Sequence, residues 1–179
     1  MTSEAELYAA LNRLGIGHRT VDHAATHTVA EGEAVKAGLP GGHSKSLLVE
    51  DKRHLFLLVA LGSVRVDLKG TANALGSGRL RFASPETLEG TLGLRPGSVT
   101  PFGLLAPGAP ALSAVVLDEA LLAQDPLWCH PLRNTASTAL APTGLVRFCE
   151  AHAARVVRMN LADPVMDLGT PTWDESGSS

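Results

Sequence analysis

The chain has 179 residues, 45% of them hydrophobic and 18% charged, with a net charge of −3, which describes one globular domain and excludes a disordered chain or a generic nucleic-acid coat. Its longest apolar run, Leu55 to Leu61, is too short to span a bilayer, and the polar opening Met1-Thr2-Ser3-Glu4 does not read as a secretory signal. Two cysteines, Cys129 and Cys149, lack metal-ligand spacing and predict no disulfide framework, so the expectation is a cytoplasmic protein without membrane contact.

Ser3-Glu4-Ala5-Glu6 forms a capping box, followed by Leu7, Leu11 and Leu14 at helical spacing and a stop at Gly15. A short strand is predicted over Arg19 to Asp22. Thr28-Val29-Ala30-Glu31 repeats the capping box and opens a helix ending near Gly38-Leu39-Pro40, with Gly41-Gly42 as a turn. Ser44 to Val49 and His54 to Ala60, joined by Asp51-Lys52-Arg53, read as a hairpin. The second arm is apolar at both parities, which places it centrally in a sheet.

Asp67 to Leu75 is a predicted short helix, and Arg79 to Phe82 a short strand. Ser84-Pro85-Glu86 starts a helix with proline at its first position and Gly93 at its end. Leu112 to Leu117 follows as a strand and Asp118 to Leu122 as a helical turn. Leu127 to His130 and Ser137 to Leu140 are further strands. Thr143 is expected to cap a helix through His152, and Val156 to Met159 to close the sheet. From residue 164 to 179 the chain turns polar and Gly/Ser/Pro-rich, a predicted flexible tail on a domain of residues 1–163. Strands and helices mix without a βαβ rhythm. The fold class is therefore α+β, with a mixed, largely antiparallel central sheet and surrounding helices.

Between His43 and Phe82, seven basic residues face three acidic ones, a local charge of +4 against −7 elsewhere. Lys45, Lys52, Arg53, Arg65, Lys69, Arg79 and Arg81 are suited to holding a phosphate backbone. The familiar catalytic signatures are missing: no GxSxG elbow, Walker loop or dinucleotide fingerprint occurs. His23-Ala-Ala-Thr-His27 has i, i+4 spacing but lacks the glutamate of HExxH and falls in a predicted loop, so no metal is expected. Cys129 and His130 adjoin on a strand and so point to opposite faces, which argues against a thiol–imidazole pair.

Three segments occur in order: Gly41-Gly42-His43-Ser44-Lys45-Ser46-Leu47, Gly97-Ser98-Val99-Thr100-Pro101 and His130-Pro131-Leu132-Arg133-Asn134. Together with Ala60-Leu61-Gly62 and Asp67-Leu68-Lys69 they make the chain resemble the YbaK/ProX superfamily from about Glu6 to Val157. Within it, the likeness is greatest to the freestanding ProX-type Ala-tRNA-Pro deacylases. The resemblance implies a YbaK/ProX-like fold and a hydrolase that edits mischarged tRNA-Pro in trans. No cofactor and no DNA partner are implied; aminoacylated tRNA-Pro is, and prolyl-tRNA synthetase is a further candidate. Lys45 matches the family's invariant lysine, and Gly97 and Pro101 match its GxxxP loop, making Lys45 and Gly97 the implied catalytic positions. Ser46, Ser98, Pro101, His130 and Asn134 are the implied substrate-binding positions, with Ser46 standing where the family often carries Asn or Thr.

The implied chemistry is physically economical. An aminoacyl ester is already activated, so a positioned water and donors to the developing oxyanion suffice, with the neighbouring ribose hydroxyl orienting the water. A non-catalytic tRNA- or synthetase-binding module of the same fold, or a deacylase for Cys- or Ser-charged tRNA, are the alternative readings.

Overall fold

The structure, a computed structural model, describes residues 2–165; most of the predicted tail lies outside them. Helix α1 (Glu4–Arg13) is opened by a complete capping box: the Glu6 N–H donates to Ser3 Oγ at 3.2 Å and the Ser3 N–H to Glu6 Oε2 at 2.6 Å. Its inward stripe is Leu7, Ala10 and Leu11. Strand β1 (His18–Asp22) follows, then α2 (Val29–Ala37), with its own capping box between Thr28 and Glu31 and no buried residue. Strands β2 (Gly42–Glu50) and β3 (Leu55–Leu61) form the predicted hairpin. Asp51 closes it, accepting from the N–H groups of Arg53 at 2.7 Å and His54 at 2.6 Å.

Helix α3 (Leu68–Leu75) is capped by Asp67, β4 is only Arg81–Phe82, and α4 (Pro85–Leu92) runs from the Ser84 cap to Gly93 in the left-handed region. Two 3-10 turns, Pro101–Leu105 and Ala109–Ala111, lead into β5 (Ala114–Asp118) and the short α5 (Glu119–Leu122). Strands β6 (Leu127–Cys129) and β7 (Ala136–Leu140), helix α6 (Pro142–His152) and strand β8 (Val156–Met159) complete the order.

The sheet runs β1-β7-β6-β2-β3-β5-β8, with β4 added to β2. It is mixed, four pairings being antiparallel and three parallel. Alternation sorts its side chains into two layers. Leu48, Leu57, Val59, Val115 and Leu117 pack against α1, α4 and α6, whereas Val49, Phe56, Leu58, Ala60, Ala114 and Val116 pack against α3. Each layer is thus one apolar face of the sheet removed from water by helices. The buried Asp118 carboxylate ties three strand ends and a helix together. It accepts from the N–H groups of Leu61 at 3.0 Å, Leu161 at 3.3 Å and Ala120 at 3.3 Å.

Local readings are corrected at four places. Strand β2 begins at Gly42, where a turn was expected, because Gly42 and His43 pair in parallel with Leu127 and Trp128. Gly41 makes the close approach to backbone, at φ +127, where a Cβ would lie 2.2 Å from the Pro126 carbonyl oxygen. His130 falls just past β6, and the strand expected from Leu112 starts at Ala114, behind the second 3-10 turn. Helix α6 is capped by Ala141 with Pro142 at its first position, not by Thr143, and it has no side-chain cap.

Candidate active site

Strand β2 has two edges, and β3 occupies one of them from Ser44 to Glu50. The other edge is shared: β6 takes Gly42 and His43, and β4 takes Val49 and Glu50. Between them the ladder is open. Which residues face the opening follows from two bonds. The His43 carbonyl accepts from Gly62 on the β3 side, while the Leu48 carbonyl accepts from Ala83 on the β4 side. In an antiparallel pair, a residue's N–H and C=O point the same way and neighbours alternate. Ser44, Ser46 and Leu48 therefore direct their main-chain groups at the second edge, and Ser46 sits at the middle of the opening.

A cavity of about 240 Å³ lies beside Ser46, walled by Leu48, Ala83, Leu88, Val99 and Gly97, with Phe82 on its rim. Ser46 Oγ is a buried hydroxyl without a hydrogen-bond partner among the described residues. Gly97 is exposed, at φ +89, and a Cβ there would meet nothing within 4 Å, so its freedom serves the chain's turn and leaves room at the cavity mouth. The rest of the GxxxP segment fixes that turn. The Ser98 N–H donates to the Arg95 carbonyl at 3.1 Å, and buried Thr100 caps the 3-10 turn that begins at the equally buried Pro101. Gly97 thus forms the wall, while Pro101 anchors it from behind.

A second cavity, of about 100 Å³, lies beside α2 and is lined by His23, His43 and His130, with Ser44, Cys129 and Ser137. Its imidazoles are tied to backbone carbonyls, which can only accept. His43 donates from Nε2 to Leu39 at 2.7 Å, His130 from Nδ1 to Ala136 at 3.1 Å, and His23 from Nδ1 to Ala24 at 2.9 Å. Burial holds the His43 and His130 pKa values below the usual imidazole range, so both rings are neutral near pH 7. His130 keeps Nε2 as a lone-pair nitrogen. The Cys129 thiol is pushed up to about 12 by burial, with Ser44 Oγ 3.3 Å from its Sγ, so it supplies no thiolate.

The segment after His130 is clamped. Arg133 donates to Glu4 Oε2 at 3.0 Å, to Asp22 Oδ1 at 2.5 Å and to the Thr135 carbonyl at 3.0 Å. Asn134 is half-buried inside this loop. Lys45 lies at the parity of His43 and Leu47, on the face opposite Ser46, and its ammonium donates to the Val64 carbonyl. The two neighbours therefore project to different faces of the strand, with Gly97 lining the cavity beside Ser46. Sequence reasoning missed Phe82, His43, His23 and Ser137. Phe82 carries a signal, an aromatic in a basic strand at Arg79 to Arg81; the others become neighbours only through long-range pairing. Among the described residues, no three His, Cys, Asp or Glu side chains are grouped to hold a metal ion.

The profile of the aminoacyl-tRNA editing domain family matches residues 23–148. Prolyl-tRNA editing protein ProX of Acetoanaerobium sticklandii is 29% identical over 154 residues, covering 85% of this chain and 93% of that one. Prolyl-tRNA synthetase associated domain-containing protein 1 of Mus musculus is 31% identical over 162 residues, covering 87% and 95%. A solved structure described as a "putative trans-editing enzyme for prolyl tRNA synthetase" superposes with a TM-score of 0.66 at 25% identity, covering 88% of this chain and 97% of that one. Hypothetical protein APE2540 shares the fold, with a TM-score of 0.68 at 22% identity, covering 87% and 98%. The matched stretch contains the open edge of β2, the Gly97 wall and the His130 loop, and the chain belongs to the aminoacyl-tRNA editing domain family, of the YbaK/ProX type.

Proposed function

We propose that this chain is a trans-acting hydrolase that clears mischarged tRNA-Pro, with alanine as the amino acid removed. The observation that carries the reading is the small cavity at the open edge of β2, inside the editing-family match. At about 240 Å³ it falls below the roughly 300–1,000 Å³ of pockets for drug-sized ligands. Its walls are apolar apart from one hydroxyl, which suits a short aliphatic side chain. The names of its relatives, ProX and the synthetase-associated domain, point to tRNA-Pro and its synthetase as partners. The biological need follows from energetics. A synthetase pocket sized for proline rejects alanine weakly, since each missing methylene is worth only about 1–3 kcal/mol, and a second sieve corrects the error after charging.

In the proposed reaction, water adds to the ester carbonyl carbon and the carbonyl oxygen takes up the electron pair. The bond to the ribose oxygen then breaks, and that oxygen leaves with a proton as the free terminal hydroxyl, releasing the amino acid. The adjacent ribose hydroxyl orients the water. Lys45 places a fixed positive charge near the opening, for a terminal phosphate or the reacting carbonyl. The exposed cations Lys52, Arg65, Lys69, Arg79 and Arg81 give the acceptor stem a basic face, which reaches the cavity through β4. Phe82, 62% exposed on the rim, offers a ring to a terminal base. Residues 1–163 make up the editing domain in this reading, and the reaction is placed in the cytoplasm.

The test is a deacylation panel on tRNA-Pro charged with alanine, cysteine, serine and proline. Alanine is released fastest and proline spared. Release of cysteine or serine in preference to alanine reassigns the substrate, and no release from any of them leaves a binding module.

A further inference from the structure

Resting on the editing reading, we propose that Ser46 forms the oxyanion site, its main-chain N–H and its hydroxyl both donating to the carbonyl oxygen of the aminoacyl ester. Two independent observations converge on this residue. The first is the buried Ser46 Oγ, without a partner among the described residues, on a residue lining the 240 Å³ cavity. A buried hydroxyl left unsatisfied is unfavourable, and a ligand oxygen in the cavity would satisfy it. The second comes from the sheet itself. Strand β6 stops pairing with β2 at His43 and β4 starts at Val49, so the Ser46 N–H points at the gap between them.

The two groups differ in origin but meet at one corner. The N–H lies in the sheet plane, facing the gap, and the buried hydroxyl belongs to the same residue, which lines the cavity. An oxygen seated there accepts from both, on a strand locked along its other edge by β3. Donors fixed in this way need no reorganisation when the carbonyl oxygen becomes an oxyanion. They act on the step in which water adds to the carbonyl carbon. The electron pair moves onto that oxygen, returns as the ribose oxygen departs, and leaves Ser46 chemically unchanged. The Gly97 loop is then a wall and not the source of the oxyanion donors.

The experiment compares wild type, Ser46→Ala and Ser46→Thr in single-turnover deacylation of Ala-tRNA-Pro, with tRNA affinity and Tm measured alongside. Removing one of the two donors is expected to lower the rate constant about 100-fold. The Kd for tRNA stays unchanged, and Tm stays level or rises, because the alanine variant lacks the unsatisfied hydroxyl. Ser46→Thr keeps the hydroxyl and recovers most of the rate. A wild-type rate in Ser46→Ala, or a loss that appears wholly in Kd, overturns the assignment while leaving the editing reading intact. An inactive wild type overturns both.

Discussion

Two cavities adjoin the same strand, and they are built in opposite ways. Beside α2, the imidazoles of His23, His43 and His130 each hold a carbonyl, Ser137 Oγ lies 2.9 Å from His23 Nε2, and Ser44 donates to the Trp128 carbonyl at 2.9 Å. The Ser46 cavity, by contrast, has apolar walls and one buried hydroxyl without a hydrogen-bond partner among the described residues. Polar groups that already have partners position the chain; they have little left to offer a ligand. A buried donor left open is costly to the fold, by about 1–3 kcal/mol, and marks where something else is meant to bind. The Ser46 side therefore keeps a donor open to a ligand, whereas Lys45, on the opposite face of the strand, already donates to the Val64 carbonyl.

The strongest way to break that comparison is at the Ser46 wall. Gly97→Val puts a β-branched side chain at φ +89 and into the cavity mouth, and is expected to reduce alanine release about 100-fold or more, while tRNA binding and its salt dependence persist. Gly97→Ala separates the causes, since its Cβ meets no atom of the described residues within 4 Å and carries backbone strain alone. Deacylation rates and filter-binding affinities at two salt concentrations check both variants. A normal rate in the valine variant reduces the loop to an ordinary turn.

Lys45→Ala comes next. It removes the charge on the opposite face of the strand, and a loss of about 10- to 100-fold in rate is expected from one charged hydrogen bond. Lys45→Arg is impaired too, because a planar fork does not replace a compact ammonium. Phe82→Ala is expected to raise KM about fivefold or more through lost base stacking, with Tm unchanged because the ring is exposed. A wild-type KM removes the rim from the binding surface.

The histidine side answers to acid instead. Folded His43 and His130 have lowered pKa values, so the unfolded chain binds protons more readily as pH falls through the ordinary imidazole value of 6.5. Their contribution to stability is complete above that value and declines below it. Asp51, held at about 2, acts in a separate window, losing its contribution as pH falls from 3.8 toward 2. Tm measured from pH 7.5 to 5 therefore falls, and His130→Asn flattens the curve; an unchanged slope in that variant removes His130 from the effect. The smallest change is Arg133→Ala, about 1 kcal/mol from partly exposed ion pairs, read as a Tm drop of a few degrees.

The sequence by itself determined what depends on residues three or four apart. Both capping boxes form as read at Ser3 and Thr28, Ser84-Pro85 opens α4, and the two-parity apolar run of β3 lies at the sheet's centre. The family resemblance named Lys45, Ser46 and Gly97, because short motifs survive in the chain regardless of what surrounds them. Tertiary structure alone decided the rest. Pairing between Gly42 and Leu127, 85 positions apart, starts β2 early, and the meeting of Val49 with Phe82 ends the gap. No local pattern encodes an edge left open between two strands from distant parts of the chain. That gap turns Ser46 from a small polar residue in a strand into a main-chain donor facing a cavity, because a strand's unpaired groups are defined by which partners arrive and where they stop.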